Sequence, residues 1–228
     1  MEAKELKSAR QVRGWTEEQA AAHLGMTQSY LNLLENGRRR LTPRVVSRAV
    51  SVYGLSPELL PVREDFVPQL ATDDELAGWL AKLEYPGFAY LKMRNARRNP
   101  YEVLLLALGQ SSLDGRVAEA LPWVAMKYAR PDSWLVETAR KYNLQNRLGF
   151  VVKLASHVAD RHENQVGVND LSKLEAMLEE SRLAGEGYFY RAPRTEKERQ
   201  WLLQSRTADA AHWNLLTDMR PEQLSYAG

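Results

Sequence analysis

The sequence predicts an all-α protein in two parts, a five-helix domain over residues 1–65 and a larger multi-helix domain over residues 66–228. Three observations carry that prediction. Residues that cap or stop helices recur along the whole chain. Between them, apolar side chains return every three or four positions, the period of a helix with one buried face. Strand-type alternation is absent, apart from a possible short extended piece at Gly187 to Arg191.

Taken in order, the first helix runs from Ala3 to Val12 and is ended by Arg13-Gly14. Thr16 caps the second, where Glu17 and Glu18 complement the positive end of the helix dipole. Gly25 ends that helix. Thr27 caps the third, which runs to Glu35 and stops at Asn36-Gly37. Thr42-Pro43 opens a fourth helix to Tyr53-Gly54, and Ser56-Pro57 opens a short fifth. Leu6, Val12, Ala20, Ala21, Leu24, Met26, Leu31, Leu34, Val45, Val46, Ala49, Val52, Leu55 and Leu59 are the expected inward positions, enough core for a domain of about 60 residues.

Two prolines and mixed polarity mark residues 61–71 as a linker. Beyond it, helices are expected over Glu75–Glu84, Tyr101–Leu108, Arg116–Tyr128, Trp134–Tyr142, Gln145–Arg161 and Leu171–Leu183. A last one starts at the Thr195/Glu198 capping box and runs to about Gln204. Stripes such as Leu76, Trp79, Leu80 and Leu83 would be buried by stacking antiparallel helices.

Apolar residues at 44% and charged residues at 26% are globular proportions. No cysteine is present, which excludes a disulfide scaffold, a thiolate metal site and a thiol nucleophile. The same absence agrees with a reducing cytoplasm, the expected location. The first residues lack the apolar core of a signal peptide, and no apolar run is long enough to span a bilayer, so no membrane partner is expected. A net charge of +2 is too small to argue for nucleic acid by itself. Local clustering is more informative. Arg38, Arg39, Arg40, Arg44 and Arg48 lie within eleven positions, directly after the third helix. A second cluster, Lys92, Arg94, Arg97 and Arg98, has no such neighbour and reads as solvated surface.

The stretch TEEQAAAHLGMTQSYLNLLENGRRR, Thr16 to Arg40, is where chemistry first becomes legible. Two short helices meet at a glycine corner. The second begins with Thr27, Gln28 and Ser29, small polar side chains that could meet base edges in a major groove. Gln28 carries both a donor and an acceptor, as adenine N6 and N7 require. Asn32 lies one turn beyond Gln28, and Leu33 one turn beyond Ser29. Leu33 could touch a thymine methyl or pack against Tyr30. Thr27 caps its helix, although a hydroxyl and N–H there can also hold a phosphate. Asn36, Arg38, Arg40 and Arg44 are the phosphate candidates. Three consecutive arginines cannot share one face, so Arg39 is assigned to solvent.

In their order, LKSAR, GWTEEQAAAHLGM, TQSYLNLLENGRRR and a helix ending YGLSPELL, residues Leu6 to Leu60 resemble the helix-turn-helix domain of the phage repressor and Cro class, the XRE family. The departures are Ala20, where the family commonly has leucine, and Leu33, at an outward position that is often polar. The resemblance implies a DNA-binding transcriptional regulator, a repressor, that places its third helix in the major groove of operator DNA as a homodimer on inverted half-sites. Its DNA-binding residues would be Thr27, Gln28, Ser29, Tyr30, Asn32, Leu33, Asn36, Arg38, Arg40 and Arg44. It also implies a structural bridge between Arg10 and Glu35, joining the first and third helices.

The remainder offers no comparable motif. His157 and His162 are five apart, which does not place both rings on one helix face, so no metal site is assigned. His212 reads as a partly buried ring and His23 as an outer position. No phosphate loop, nucleophile elbow or carboxylate pair is evident. No catalytic residue and no cofactor are assigned, and the protein is expected not to be an enzyme. Residues 121–155 are rich in directional side chains, among them Trp123, Trp134, Tyr142, Gln145, Asn146 and Arg147. They read either as core and a helix joint or as a partner-binding surface. In general character the segment resembles the helical parts of antitoxins that repress their own operons and neutralise a toxin protein. The alternative expectation is a ligand-responsive regulator with a small-molecule pocket among these helices.

Overall fold

The computed structural model describes residues 1–92 and 97–224. It is all-α, with twelve α-helices and one two-stranded ladder among the described residues. The chain divides into two compact units, Met1–Asp65 and Phe66–Gly228.

The first unit contains α1 (Ala3–Val12), α2 (Glu17–Leu24), α3 (Gln28–Glu35) and α4 (Pro43–Tyr53). Each start is fixed by its own cap. The Thr16 hydroxyl accepts from the Gln19 N–H at 3.2 Å, while the Gln19 side chain accepts from the Thr16 N–H at 3.0 Å. Thr27 accepts from the Tyr30 N–H and Thr42 from the Val45 N–H. Between α2 and α3 the chain reverses at Gly25, whose φ of 66° is the left-handed conformation that glycine adopts without cost. A Cβ there would also press on the Arg48 guanidinium at 3.2 Å.

Two expectations for this unit are corrected. The fifth helix is only a 3-10 turn, Pro57–Leu59. Leu60 precedes Pro61, which drives it to extended backbone (φ −62°, ψ 140°) and prevents a second turn. Val12 is 84% exposed rather than inward. At 3.6 residues per turn it lies about 120° round α1 from the buried Leu6. Arg13 falls on Leu6's side instead and donates its guanidinium to the Tyr53 carbonyl. Tyr53 itself, not expected inside, is buried with Leu24, Leu31, Leu34 and Ala49.

The second unit contains α5 (Asp73–Lys82), α6 (Pro100–Leu108), α7 (Gly115–Tyr128), α8 (Ser133–Lys141), α9 (Gln145–Arg161) and α10 (Gln165–Glu179). After these come β1 (Gly187–Tyr188), α11 (Glu196–Ser205), α12 (Ala208–His212) and β2 (Leu215–Leu216). The strands pair in parallel, Gly187 opposite Leu215. α9 is the central element, packed against α6, α7, α8, α10 and α12. Every residue of α6 is buried, consistent with a helix apolar on all sides. α10 starts six residues before the expected Leu171, because Asn164, and not Asn169, caps it through the Gly167 N–H. Val166 in its first turn is exposed, so no apolar stripe announces that start.

The stretch expected as a linker, 61–71, is not uniform. Phe66 is buried edge-on against Trp134, and its carbonyl accepts from the Tyr142 hydroxyl at 2.8 Å. Gln110 holds the Gln69 carbonyl and the Ala71 N–H with its two amide ends. Residues 66–71 therefore lie on the second unit.

Of the directional side chains in residues 121–155, Trp123, Gln145 and Asn146 are buried, and Trp134, Tyr142 and Arg147 are half-buried. Trp123 is buried, and Trp134 and Tyr142 pack on the same core. Asn146 donates to the carbonyls of Leu183 and Trp213 and accepts from the Leu183 N–H. Arg147 donates to the carbonyls of Leu108, Gln110 and Tyr188. These groups tie long connections to α9, replacing the water the loop carbonyls would otherwise need.

Gly149 faces the fully buried Trp213, and a Cβ added to it would stand 2.4 Å from the indole ring. Gly149→Ala is therefore expected to lower the stability of the second unit by about 1–3 kcal/mol through overpacking, read as a shift in its denaturant midpoint.

Candidate nucleic-acid interface

The site is built on α3, which is amphipathic: Leu31, Leu34 and Glu35 are buried, while Gln28 and Ser29 stand exposed on its first turn. α2 lies across it and brings Glu17 alongside. Glu17, Gln28, Ser29, Asn32 and Leu33 line one concave patch. A second cleft, at the corner between α2 and α3, is lined by Leu24, Met26, Tyr30, Arg44, Val45 and Arg48.

The site residues fall into groups. Thr27 uses its hydroxyl as a helix cap. Tyr30 is half-buried and packs against the first unit's core. Leu33 is half-buried at the edge of the patch. Arg38, Arg39, Arg40 and Arg44 are all exposed. The N–H groups of Arg38 and Arg39 both donate to the Leu33 carbonyl, which wraps the arginine run round the C-terminal end of α3.

Asn32 also makes contacts within the domain. Its amide nitrogen donates to both carboxylate oxygens of Glu17, at 3.2 and 3.3 Å, and its Oδ1 accepts from the Asn36 amide at 3.1 Å. Each end of that amide thus has a partner within the protein, while Asn32 still lines the concave patch. Asn36 is likewise engaged, donating to the Asn32 carbonyl at 2.9 Å. Glu17 is the patch residue that sequence reasoning missed. Its position next to Glu18 explains it as a helix-dipole partner, and only the crossing of α2 over α3 brings it to Gln28.

Beneath this face lies an ion pair. Arg10 donates Nε and Nη2 to the two oxygens of Glu35, both at 2.7 Å, in fork-to-fork geometry. Its Nη1 donates to the Trp15 carbonyl at 3.0 Å, and Glu17 lies 3.9 Å away. The Glu35 side chain is 1% exposed and that of Arg10 11%. Hydrogen bonding to Glu35 pushes the guanidinium pKa up, against the opposing effect of burial. Burial, reinforced by the Glu35 charge, raises the Tyr53 hydroxyl to about 12. That hydroxyl is buried and has no hydrogen-bond partner among the described residues. Trp15 stacks on His23 at 4.2 Å and tilts against Tyr53, closing the other side of the pair.

A family model described as a helix-turn-helix domain matches residues 3–62. Residues 3–62 are a helix-turn-helix domain. The match supports a DNA-binding regulator and leaves the second unit without a counterpart. No curated protein and no solved structure matches the chain. Among the described residues no cluster of three or more His, Asp or Glu side chains could hold a metal ion, and no helix is long and apolar enough to cross a membrane. His157, considered above for metal, is hydrogen-bonded to Asp209 at 2.8 Å, and His212 to Glu179 at 2.7 Å. Arg94 of the second basic cluster lies outside the described residues.

Arg10→Ala strands the Glu35 carboxylate in the helix-turn-helix core. The expected loss is about 3–5 kcal/mol of that unit's stability, measured by urea unfolding. Tyr53 supplies a pH prediction. Its folded pKa lies above the ordinary value of 10.0, so the neutral ring stabilises the fold fully below pH 10. That contribution is lost as pH rises through about 12. Tyr190, hydrogen-bonded to Asp218, is also raised to about 12. Ultraviolet titration of tyrosinate should therefore show a late step to which Tyr53 contributes, and Tyr53→Phe should shrink that step.

Proposed function

We propose that this protein is a sequence-specific transcriptional repressor of the XRE class, docking α3 in the major groove of operator DNA. One observation carries the reading: Gln28 and Ser29 stand exposed at the start of a helix whose far end is followed by exposed arginines. In B-form DNA the base edges lie in a groove flanked by phosphates on both sides, so a reader needs hydrogen-bonding side chains at its tip and cationic flanks. Gln28 supplies the bidentate amide, with Ser29 beside it, and Leu33 offers an apolar surface to a thymine methyl. Arg38, Arg40 and Arg44 take phosphates. Thr27 and Tyr30 shape the start of the helix, and Asn32 and Asn36 order its exposed side from within. One such unit makes few contacts, so two chains bind inverted half-sites about one helical turn apart and block the promoter by occupancy.

Gln28→Ala should cost about 1–3 kcal/mol on the preferred duplex and relax the preference at one base pair. Arg38→Ala or Arg40→Ala should weaken binding to every duplex and make its salt dependence shallower by about one unit of slope. Fluorescence anisotropy on preferred and scrambled duplexes across a salt series separates the two behaviours. Equal losses on both duplexes for Gln28→Ala would remove the base-reading role.

A further inference from the structure

We propose that Glu17, a residue of α2, is a specificity-determining residue that accepts a hydrogen bond from the exocyclic amine of cytosine, N4. The inference rests on the reading of α3 as the DNA-reading helix. Its starting point is a misfit. A face meant to approach two rows of phosphates carries a carboxylate in the same concave patch as Gln28 and Ser29. An anion there costs binding energy against phosphates unless it is matched to a donor.

The local geometry keeps that carboxylate in place. Asn32 grips both of its oxygens from below, and Arg10 stands 3.9 Å behind it while itself committed to Glu35. The Glu17 side chain nevertheless remains 28% exposed. An ionised carboxylate has about four lone-pair sites, and Asn32 addresses only one on each oxygen, so acceptor capacity is left over. That capacity can serve only a donor. In the major groove phosphate oxygens, guanine O6 and N7, adenine N7 and thymine O4 are acceptors; the exocyclic amines of cytosine and adenine are the donors, and only cytosine presents its donor without an adjacent acceptor on the same base. Asn32 thereby acquires a role as a positioning residue: it aims Glu17 and does not itself read a base.

The test is selection from a randomised duplex library by the full chain, in parallel with Glu17→Gln and Gln28→Ala. Glutamine keeps the size of the side chain and an oxygen for Asn32, and matched thermal melts check the fold. The wild type should enrich cytosine at one position per half-site, next to the position that Gln28→Ala relaxes. In Glu17→Gln that cytosine enrichment should fall by about fivefold or more, the low end of the discrimination a direct base contact provides, because an amide suits adenine N6 and N7 instead. An unchanged selected sequence in Glu17→Gln, alongside a relaxed one in Gln28→Ala, would overturn the Glu17 inference alone. So would tighter binding of Glu17→Gln to all duplexes with a steeper salt dependence, which would make the carboxylate a simple repellent of phosphate. A wild-type chain that selects no sequence would overturn the base-reading proposal and this inference with it.

Discussion

The bidentate pair between Arg10 and Glu35 is the constraint on which the first unit's surface depends. α3 is only eight residues long, too short to hold its direction by its own hydrogen bonds. Its underside offers Leu31 and Leu34 to the core, and apolar contact alone leaves a short helix free to rotate and slide. The guanidinium fork removes that freedom. It fixes Glu35 at one end of α3 to α1, and through the Trp15 carbonyl to the segment entering α2. Burial sharpens the constraint, because a carboxylate so nearly excluded from water has no alternative partner of comparable strength. The exposed first turn of α3 takes its direction from the anchor at the opposite end.

Polar side chains on α3 are divided between holding and offering. Thr27, Asn32, Asn36 and Glu35 spend their hydrogen-bonding capacity on the protein, and Gln28 and Ser29 leave theirs outward. Such a division is what preorganisation requires: the groups that meet a partner stand on a turn whose other polar groups are already satisfied. The second unit uses the same economy for a different end. Gln110, just after α6, and Asn146 and Arg147, on α9, each bind two or three backbone groups of distant segments, and so gather loops whose carbonyls would otherwise be buried unpaired. Directional residues on a helix are thus as readily structural as functional, and only their partners tell which.

Much of the architecture could be read from the chain because it is written in local chemistry. Thr16, Thr27, Thr42, Thr72 and Thr195 cap helices through their own neighbours, and Gly25 and Gly54 take left-handed backbone that few other residues accept. The harder elements lacked local signals. α12 is five residues, shorter than two turns, so no periodicity can mark it. The start of α10 hides behind an exposed valine, and Tyr53 and Val12 exchanged their expected places because the crossing of α1 and α4 chooses which face is covered.

The sequence by itself determined where the helices begin and end in the N-terminal unit, which side of α3 is apolar, and where positive charge accumulates. These follow from bonds and periodicities that span four residues or fewer. Only the tertiary structure decided which polar side chains remain available. That Asn32 meets Glu17, that Glu17 arrives beside Gln28, and that Arg147 and Trp123 serve the interior all depend on contacts between distant segments. A hydrogen-bonding group at one position carries no record of the partner that the fold will bring to it.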